Sequence, residues 1–212
     1  MRISEMTITF LLIVLFVFTP KCSEAEWFTD FYVGYAYTQD DSVIETSSGI
    51  STTETVDYDN AFILGYRLGY YFNSIPFLGL ALEVSYSEPT PDLESEEANL
   101  KVLPVSALLF LRAPLYASSA YPKGKFQPYL GIGPGLFISD YKNGQFDDTG
   151  FDVGLDARAG VAVMFAHNFA FFMEYRYSYF EFEFVDHMGG NRVSLEGDLS
   201  THYGLAGLSY RF

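Results

Sequence analysis

The stretch that decides the fold is HYGLAGLSYRF, residues 202–212. Counting back from Phe212, one parity holds aromatic, aliphatic and small residues, namely Phe212, Tyr210, Leu208, Ala206 and Gly204. The other parity holds Arg211, Ser209, Gly207, Leu205 and Tyr203. An apolar face opposite a small or polar face with a period of two indicates a strand between lipid and a polar lumen. We therefore expect the closing strand of a membrane β-barrel, with Tyr210 and Phe212 as an assembly signal in the interfacial aromatic belt.

Seven further segments alternate in the same way, which predicts an all-β, eight-stranded antiparallel up-and-down transmembrane β-barrel. These segments are 31–37, 62–72, 78–86, 101–112, 130–138, 151–165 and 169–179. Each meets or approaches the roughly 9–11 residues that a tilted membrane strand needs. The alternative is a soluble barrel of the lipocalin type, which would hide its apolar face in a cavity. The face with Gly, Ser, Arg and Asp is too small and polar to be an outer surface, so the pattern favours the membrane.

The links between these segments differ in length and charge. Links 73–76 and 167–168 are short, and link 113–125 carries Lys123 and Lys125 but no acid. Links 39–58, 87–99, 140–149 and 185–199 are long, and we predict them as extracellular loops because barrels keep their short turns in the periplasm. Their acids include Asp40, Asp41, Glu45, Glu54, Glu94, Glu96, Glu97, Asp147, Asp148, Asp186, Glu196 and Asp198. These acids lack EF-hand spacing, so they indicate either a solvated surface or a charged recognition or divalent-cation surface.

The N-terminus has the pattern of a cleaved signal peptide. Arg2 precedes an apolar run at 8–18, and Ser23-Glu24-Ala25 ends a polar stretch, so we expect a signal peptide at 1–25 and a barrel domain at 26–212. The run is too short for an anchor helix across roughly 30 Å of hydrocarbon. Cys22, the one cysteine, lies in this segment, which leaves no thiol or disulfide chemistry for the mature chain. The net charge of −15 argues against nucleic acid as a partner.

Charged residues recur on the inward parity of the predicted strands. They are Arg67, Glu83, Arg112, Asp156, Arg158, Glu174, Arg176 and Arg211, with Asp30 near the start. The lumen of an eight-stranded barrel is just wide enough for side chains to fill it, and an unpaired buried ion is costly. We expect an internal charge network that plugs the barrel; the alternative is an ion or proton path.

A hydrolytic site would need a nucleophile beside a base. The chain has three histidines, of which His167 falls in a tight turn and His202 near the start of the last strand. Asp186-His187 could form half of a dyad, with Ser194 and Ser200 as the nearest nucleophiles. Nothing in the spacing brings these groups together, so we expect no catalytic residues.

At these residues the chain resembles the small outer-membrane barrels of the OmpA/OmpX and opacity-protein type. The pieces that carry the resemblance are LSYRF (208–212), PYLGIGPG (128–135), LGYRLGYYF (64–72) and MEYRY (173–177). The resemblance covers nearly all of 27–212 and implies barrel assembly rather than an activity. Because the sequence stops at Phe212, we expect no peptidoglycan-binding domain of the kind found in full-length OmpA-like proteins. The matching pieces carry no active-site signature of the barrel enzymes.

Together these patterns predict a monomeric outer-membrane barrel with a structural or adhesin-like surface role, without cofactor or metal. Expected partners are outer-membrane lipid, lipopolysaccharide and the barrel assembly machinery. Two alternatives stay open at this point: a narrow channel or conduit for small or hydrophobic molecules, and a lipid A-modifying enzyme.

Overall fold

The structure is a computed structural model. It describes the backbone of residues 26–39, 41–47, 50–58, 60–88, 91–92, 99–142, 147–188 and 191–212, and the side chains of 26–39, 60–88, 101–139, 150–181 and 197–212. The predicted signal peptide at 1–25 lies outside the described residues, and cleavage after Ala25 stays a prediction.

Strands make up nearly all of the described chain. They are β1 (Glu26–Thr38), β2 (Asp41–Ser47), β3 (Ile50–Tyr58), β4 (Ala61–Phe72), β5 (Ile75–Ser87), β6 (Pro91–Asp92), β7 (Asn99–Arg112), β8 (Phe126–Lys142), β9 (Asp147–Met164), β10 (Phe169–Met188) and β11 (Asn191–Arg211). No helix in the described ranges is long and apolar enough to cross a membrane.

Eight of these strands form a closed antiparallel barrel. Consecutive barrel strands pair in the order β1-β4-β5-β7-β8-β9-β10-β11, and β1 then pairs with β11 to close the ring. The predicted alternation is confirmed. Large apolar residues on the predicted outer parity, such as Tyr35 and Val153, are 68% and 74% exposed, whereas their inward neighbours are mostly buried. In a bilayer this outer face contacts lipid.

The prediction that the long links are loops was wrong for much of their length. Link 39–58 contains β2 and β3, which form a hairpin that pairs with β11. The β8–β9 and β10–β11 hairpins continue to Lys142↔Asp147 and Met188↔Asn191, and β6 pairs with β3. Outside the bilayer no lipid demands apolar residues on the outer parity, so that pattern ends while the hydrogen-bonded ladder continues. The β-branched run Ile50-Ser-Thr-Thr-Glu-Thr-Val was the available signal.

Inward glycines make room for large rings on neighbouring strands. Tyr32 is paired with Gly65 and Phe28 with Gly69 across the β1–β4 ladder. A Cβ added to either glycine would lie 2.2 Å from the opposite ring. These glycines are therefore required by packing, and the aromatic rings they admit form much of the buried core.

Phe212 lies at the seam where the barrel closes. Its backbone N–H donates to the carbonyl of Trp27 at 3.0 Å, and the Trp27 N–H donates back at 3.2 Å. Its ring packs 5.3 Å from the ring of Tyr210, which lies 5.0 Å from Phe169. Phe212 therefore takes part in both the backbone hydrogen-bond ladder and the interfacial aromatic belt.

We expect deletion of Phe212 to lower the yield of folded, membrane-inserted protein, because it removes both seam hydrogen bonds and one interfacial ring. Phe212→Tyr keeps the backbone and the ring and serves as the matched control, with near-normal yield. The measurement is heat modifiability: folded barrels and boiled samples migrate differently in detergent gels. Full insertion of the deletion variant would contradict the assigned role of Phe212.

Candidate functional site: the charged lumen

The central section of the lumen is organised around Arg67, which points inward from β4. Its Nη1 donates to Asp30 Oδ2 on β1 at 3.1 Å, and its Nε donates to Glu83 Oε2 on β5 at 2.7 Å. Its Nη2 donates to both carboxylate oxygens of Glu174 on β10, at 2.7 and 2.9 Å. One guanidinium therefore links acids from three other strands, and its side chain is almost fully buried.

Two more arginines extend this cluster across the barrel. Arg158 on β9 donates to Glu83 Oε2 at 2.5 Å, to Asp156 Oδ1 at 2.7 Å and to Glu174 Oε1 at 3.3 Å. Arg176 on β10 lies with Nη2 2.7 Å from Asp156 Oδ2 and with Nη1 3.2 Å from Glu83 Oε1. Glu83, Asp156 and Glu174 each contact at least two arginines, as in a network rather than a set of isolated pairs.

Neutral hydroxyl groups donate further hydrogen bonds to the carboxylates of the cluster. Ser106 Oγ on β7 donates to Asp156 Oδ2 at 2.9 Å, and the Tyr129 hydroxyl on β8 donates to Glu174 Oε2 at 2.8 Å. Buried carboxylates are stabilised when such donors fill their remaining lone pairs. Seven barrel strands supply side chains through these contacts, and β11 adds the Tyr203 ring, whose centre lies 4.8 Å from the Arg176 guanidinium carbon.

Aromatic layers bound this cluster above and below. At the end with the short links 73–76 and 167–168, which we predict to be periplasmic, the Arg67 guanidinium carbon lies 5.0 Å from the centre of the Phe110 ring and 5.7 Å from that of Phe172. Towards the extracellular side, Phe137 and Phe180 stack with ring centres 4.3 Å apart. The remaining cavity beside Asp30 and Arg67 has about 10 Å³, which is room for roughly one water molecule.

A second charged cluster occupies the periplasmic mouth, and the sequence reading missed its acid. Arg112 Nη1 donates to Glu26 Oε1 at 2.9 Å, and Arg112 Nη2 contacts Glu26 Oε2. Arg211 Nη1 lies 4.0 Å from Glu26 Oε1. Glu26 was missed because the aromatic alternation used to place the first strand begins at Phe31, whereas β1 begins at Glu26.

These clusters balance in charge. In the part of the chain whose side chains are described, the buried charged residues are five arginines and five acids. The arginines are Arg67, Arg112, Arg158, Arg176 and Arg211, and the acids are Glu26, Asp30, Glu83, Asp156 and Glu174. The structure thus brings together all the lumen residues named from the sequence, in two clusters.

Of the other candidate residues, Ser200 lies far from the Asp186-His187 pair, whereas the backbone of Ser194 lies opposite Val185, next to that pair. Ser200 Oγ pairs with the Tyr177 hydroxyl at 3.1 Å, and the backbone of Ser200 lies opposite Tyr179. His187 lies opposite Arg192 and is eight residues further along β10 than Tyr179. At 3.3 Å per residue, its backbone is roughly 26 Å from that of Tyr179. The side chains of His187, Asp186 and Ser194 are outside the described ones. Among the side chains that the structure describes, no group of three or more His, Cys, Asp or Glu could hold a metal ion.

The predicted loop acids are only partly described. Asp40, Glu94, Glu96 and Glu97 lie outside the described residues, and the side chain of Asp198 is the only described one of that set. His202 faces outward and contacts Gln39 Nε2 at 2.9 Å and the Tyr175 hydroxyl at 2.6 Å. These contacts place it in the outer aromatic belt rather than in a catalytic arrangement.

We expect Arg158→Leu to lower the free energy of unfolding by roughly 3–5 kcal/mol, because it leaves buried carboxylates short of a cation. Adding Glu83→Gln restores neutrality, so the double variant should lose less than the sum of the single variants. The measurement is urea unfolding in detergent or vesicles.

The matched control is the exposed ion pair between Lys101 Nζ and Glu88 Oε1, 3.5 Å apart with both side chains about half exposed. Lys101→Met should cost less than about 1 kcal/mol. If Arg158→Leu and Lys101→Met lowered the free energy of unfolding equally, water would have to screen the lumen charges.

Comparisons with known proteins agree with this architecture. The structure of the outer membrane protein OprG from Pseudomonas aeruginosa is similar with a TM-score of 0.67 and 17% identity, over 89% of this chain and 96% of that one. The neisserial surface protein A is similar with a TM-score of 0.51 and 20% identity, over 90% of this chain and all of that one. At these identities the likeness concerns the fold alone. No curated protein matches the chain by sequence.

The family described as outer membrane protein beta-barrel domain matches residues 9–212, almost the whole sequence. This match agrees with the closed eight-stranded barrel and its apolar outer face. The chain is therefore a member of the outer membrane protein beta-barrel domain family and resides in the outer membrane.

Proposed function

We propose that this protein is a sealed outer-membrane barrel whose acidic extracellular hairpins interact with a cationic surface partner, without catalysis. The observation that carries the proposal is the filled lumen, because a barrel closed to solutes must act through its surfaces. In this proposal the barrel is a monomer, inserted by the barrel assembly machinery and surrounded by lipid and lipopolysaccharide.

The central cluster supports a seal rather than a channel. Arg67, Arg158 and Arg176 each contact at least two acids, and all three side chains are almost fully buried. The stacked rings of Phe137 and Phe180 cover the extracellular side of the cluster. A conducting path would have to separate several ion pairs in a medium where each unpaired ion costs several kcal/mol.

The hairpin register supports a cationic partner. Glu183 lies directly opposite Glu196 in the β10–β11 hairpin. Like charges at directly opposed positions of an antiparallel pair destabilise the sheet. A positively charged ligand would offset this repulsion, so the hairpin has a built-in preference for cations over anions.

We expect purified wild-type protein in planar bilayers to show little or no steady conductance, because the ion network fills the lumen. Heat modifiability of the same preparation verifies that the barrel is folded. Large, stable conductance from folded protein would replace the sealed-barrel proposal with a channel.

For the surface role, we expect proteoliposomes to bind a fluorescent oligolysine peptide, measured as a saturable increase in anisotropy. Glu183→Gln combined with Glu196→Gln should weaken binding more than Asp147→Asn combined with Asp148→Asn, which removes the same charge from the β8–β9 hairpin. Equal losses would indicate general attraction to the net charge of −15 rather than recognition by the β10–β11 hairpin.

A further inference from the structure

The link between β7 and β8 folds across the periplasmic mouth of the barrel. The Gln127 side-chain amide, buried at the start of β8, donates to the carbonyls of Lys123 at 3.1 Å and Gly124 at 2.9 Å. Gly124 has a φ of 87°, which a residue with a side chain rarely adopts. This turn holds Lys123 over the mouth, with Nζ 3.5 Å from Glu26 Oε2 and about half of its side chain exposed.

Lys123 and Glu26, which contact each other, line two clefts at the mouth. One cleft has a volume of about 170 Å³ and combines charged and apolar walls. Lys123 and Arg211 line it together with the apolar side chains of Tyr121, Met164 and Phe212. A pocket of this kind suits a ligand that has an anionic group beside a small apolar group.

Arg211 is the least well paired arginine of the lumen. It is 8% exposed, and neither its Nε nor its Nη1 has a hydrogen-bond partner within the described part of the chain. Its nearest carboxylate oxygen in an ion pair is Glu26 Oε1 at 4.0 Å, and that carboxylate is already engaged by Arg112. A buried guanidinium with free donors is costly unless an anion or water completes it.

The charge of this end favours an anion from outside. Around the mouth, the described cations are Arg112, Lys123, Lys125 and Arg211. The acids that face them are Glu26 and, beside Arg211 in the small internal cavity, Asp30. The excess of cations contrasts with the net charge of −15 for the whole chain. The positive charge of the mouth thus favours anionic ligands, whereas the acidic hairpins at the other end favour cations.

We propose that this cleft binds the free carboxyl terminus of a periplasmic peptide. The carboxylate lies between Lys123 and Arg211, and the side chain of the terminal residue packs against Tyr121 and Met164. A carboxylate fits because the Glu26 carboxylate already sits among these same cations, and a bare inorganic anion would leave the apolar wall of the cleft uncovered. Two sources share this chemistry: protein C-termini, which end in L-residues, and cell-wall stem peptides, which end in D-residues.

The test is a titration of the full barrel in detergent micelles, followed by the NMR shifts of the Lys123, Gly124 and Asn168 amides. The probes are N-acetyl-L-Ala-L-Ala and N-acetyl-D-Ala-D-Ala, with the matching carboxamides as neutral controls. We expect saturable shifts with at least one free acid and none with the carboxamides. The preferred enantiomer then identifies the source.

Three variants give the expected result a distinct signature. Lys123→Gln should weaken binding roughly fivefold, since one exposed charge contact is lost. Lys125→Gln is the matched control: this lysine lies two residues away, contacts the Tyr121 ring at 5.7 Å and does not line the cleft, so binding should be unchanged. Glu26→Gln should tighten binding roughly fivefold, because the resident anion no longer competes for the same cations.

Several outcomes would overturn the proposal. Shifts of equal size with the carboxamides would show that the carboxylate is not recognised. Equal losses from Lys123→Gln and Lys125→Gln would show general electrostatic attraction, and absence of saturation with either free acid would show that the cleft is not a site. Heat modifiability of each variant establishes that the barrel is folded before titration.

Discussion

The structure depends on the burial of arginine side chains inside a closed barrel. A guanidinium cannot lose its charge in a protein, so each buried arginine requires acids at fixed positions on other strands. Arg67 meets this requirement with Asp30, Glu83 and Glu174, which belong to three different strands. A shift of one residue in any of these strands would turn its acid to the lipid face. The charge network therefore specifies strand register as well as filling the lumen.

The aromatic layers determine how strong this network is. Ion pairs weaken where water screens them, and the rings of Phe110, Phe172, Phe137 and Phe180 keep water from the cluster on both sides. Those rings in turn need space, which glycines on the opposing strands provide, as Gly69 does for Phe28. The ion pairs, the aromatic rings and the glycines that make room for the rings thus pack together to fill a narrow barrel.

The sequence was sufficient to predict which side chains of each strand point inward, but not which of them pair within the lumen. A period of two assigns Arg67 and Glu174 to the inner face, yet it does not give the height of either residue or their relative position around the ring. These two residues are 107 positions apart in the chain and meet only because the barrel closes. The same limit explains why the pairing of Glu26 with Arg112 does not follow from the sequence. The prediction of a loop at β2 and β3 fails for another reason, because strands outside the bilayer need no apolar outer face.

The proposed seal of the lumen also affects what the two ends of the barrel can do. Because the central ion network separates them, an event at the extracellular hairpins reaches the periplasmic mouth only through the barrel wall. The wall is a closed hydrogen-bonded ladder whose register the buried ions hold in place, so it has little freedom to transmit a change in shape. The acidic hairpins and the cationic mouth are therefore best understood as two independent surfaces on one rigid support. Their opposite charges suit them to different partners on the two sides of the outer membrane.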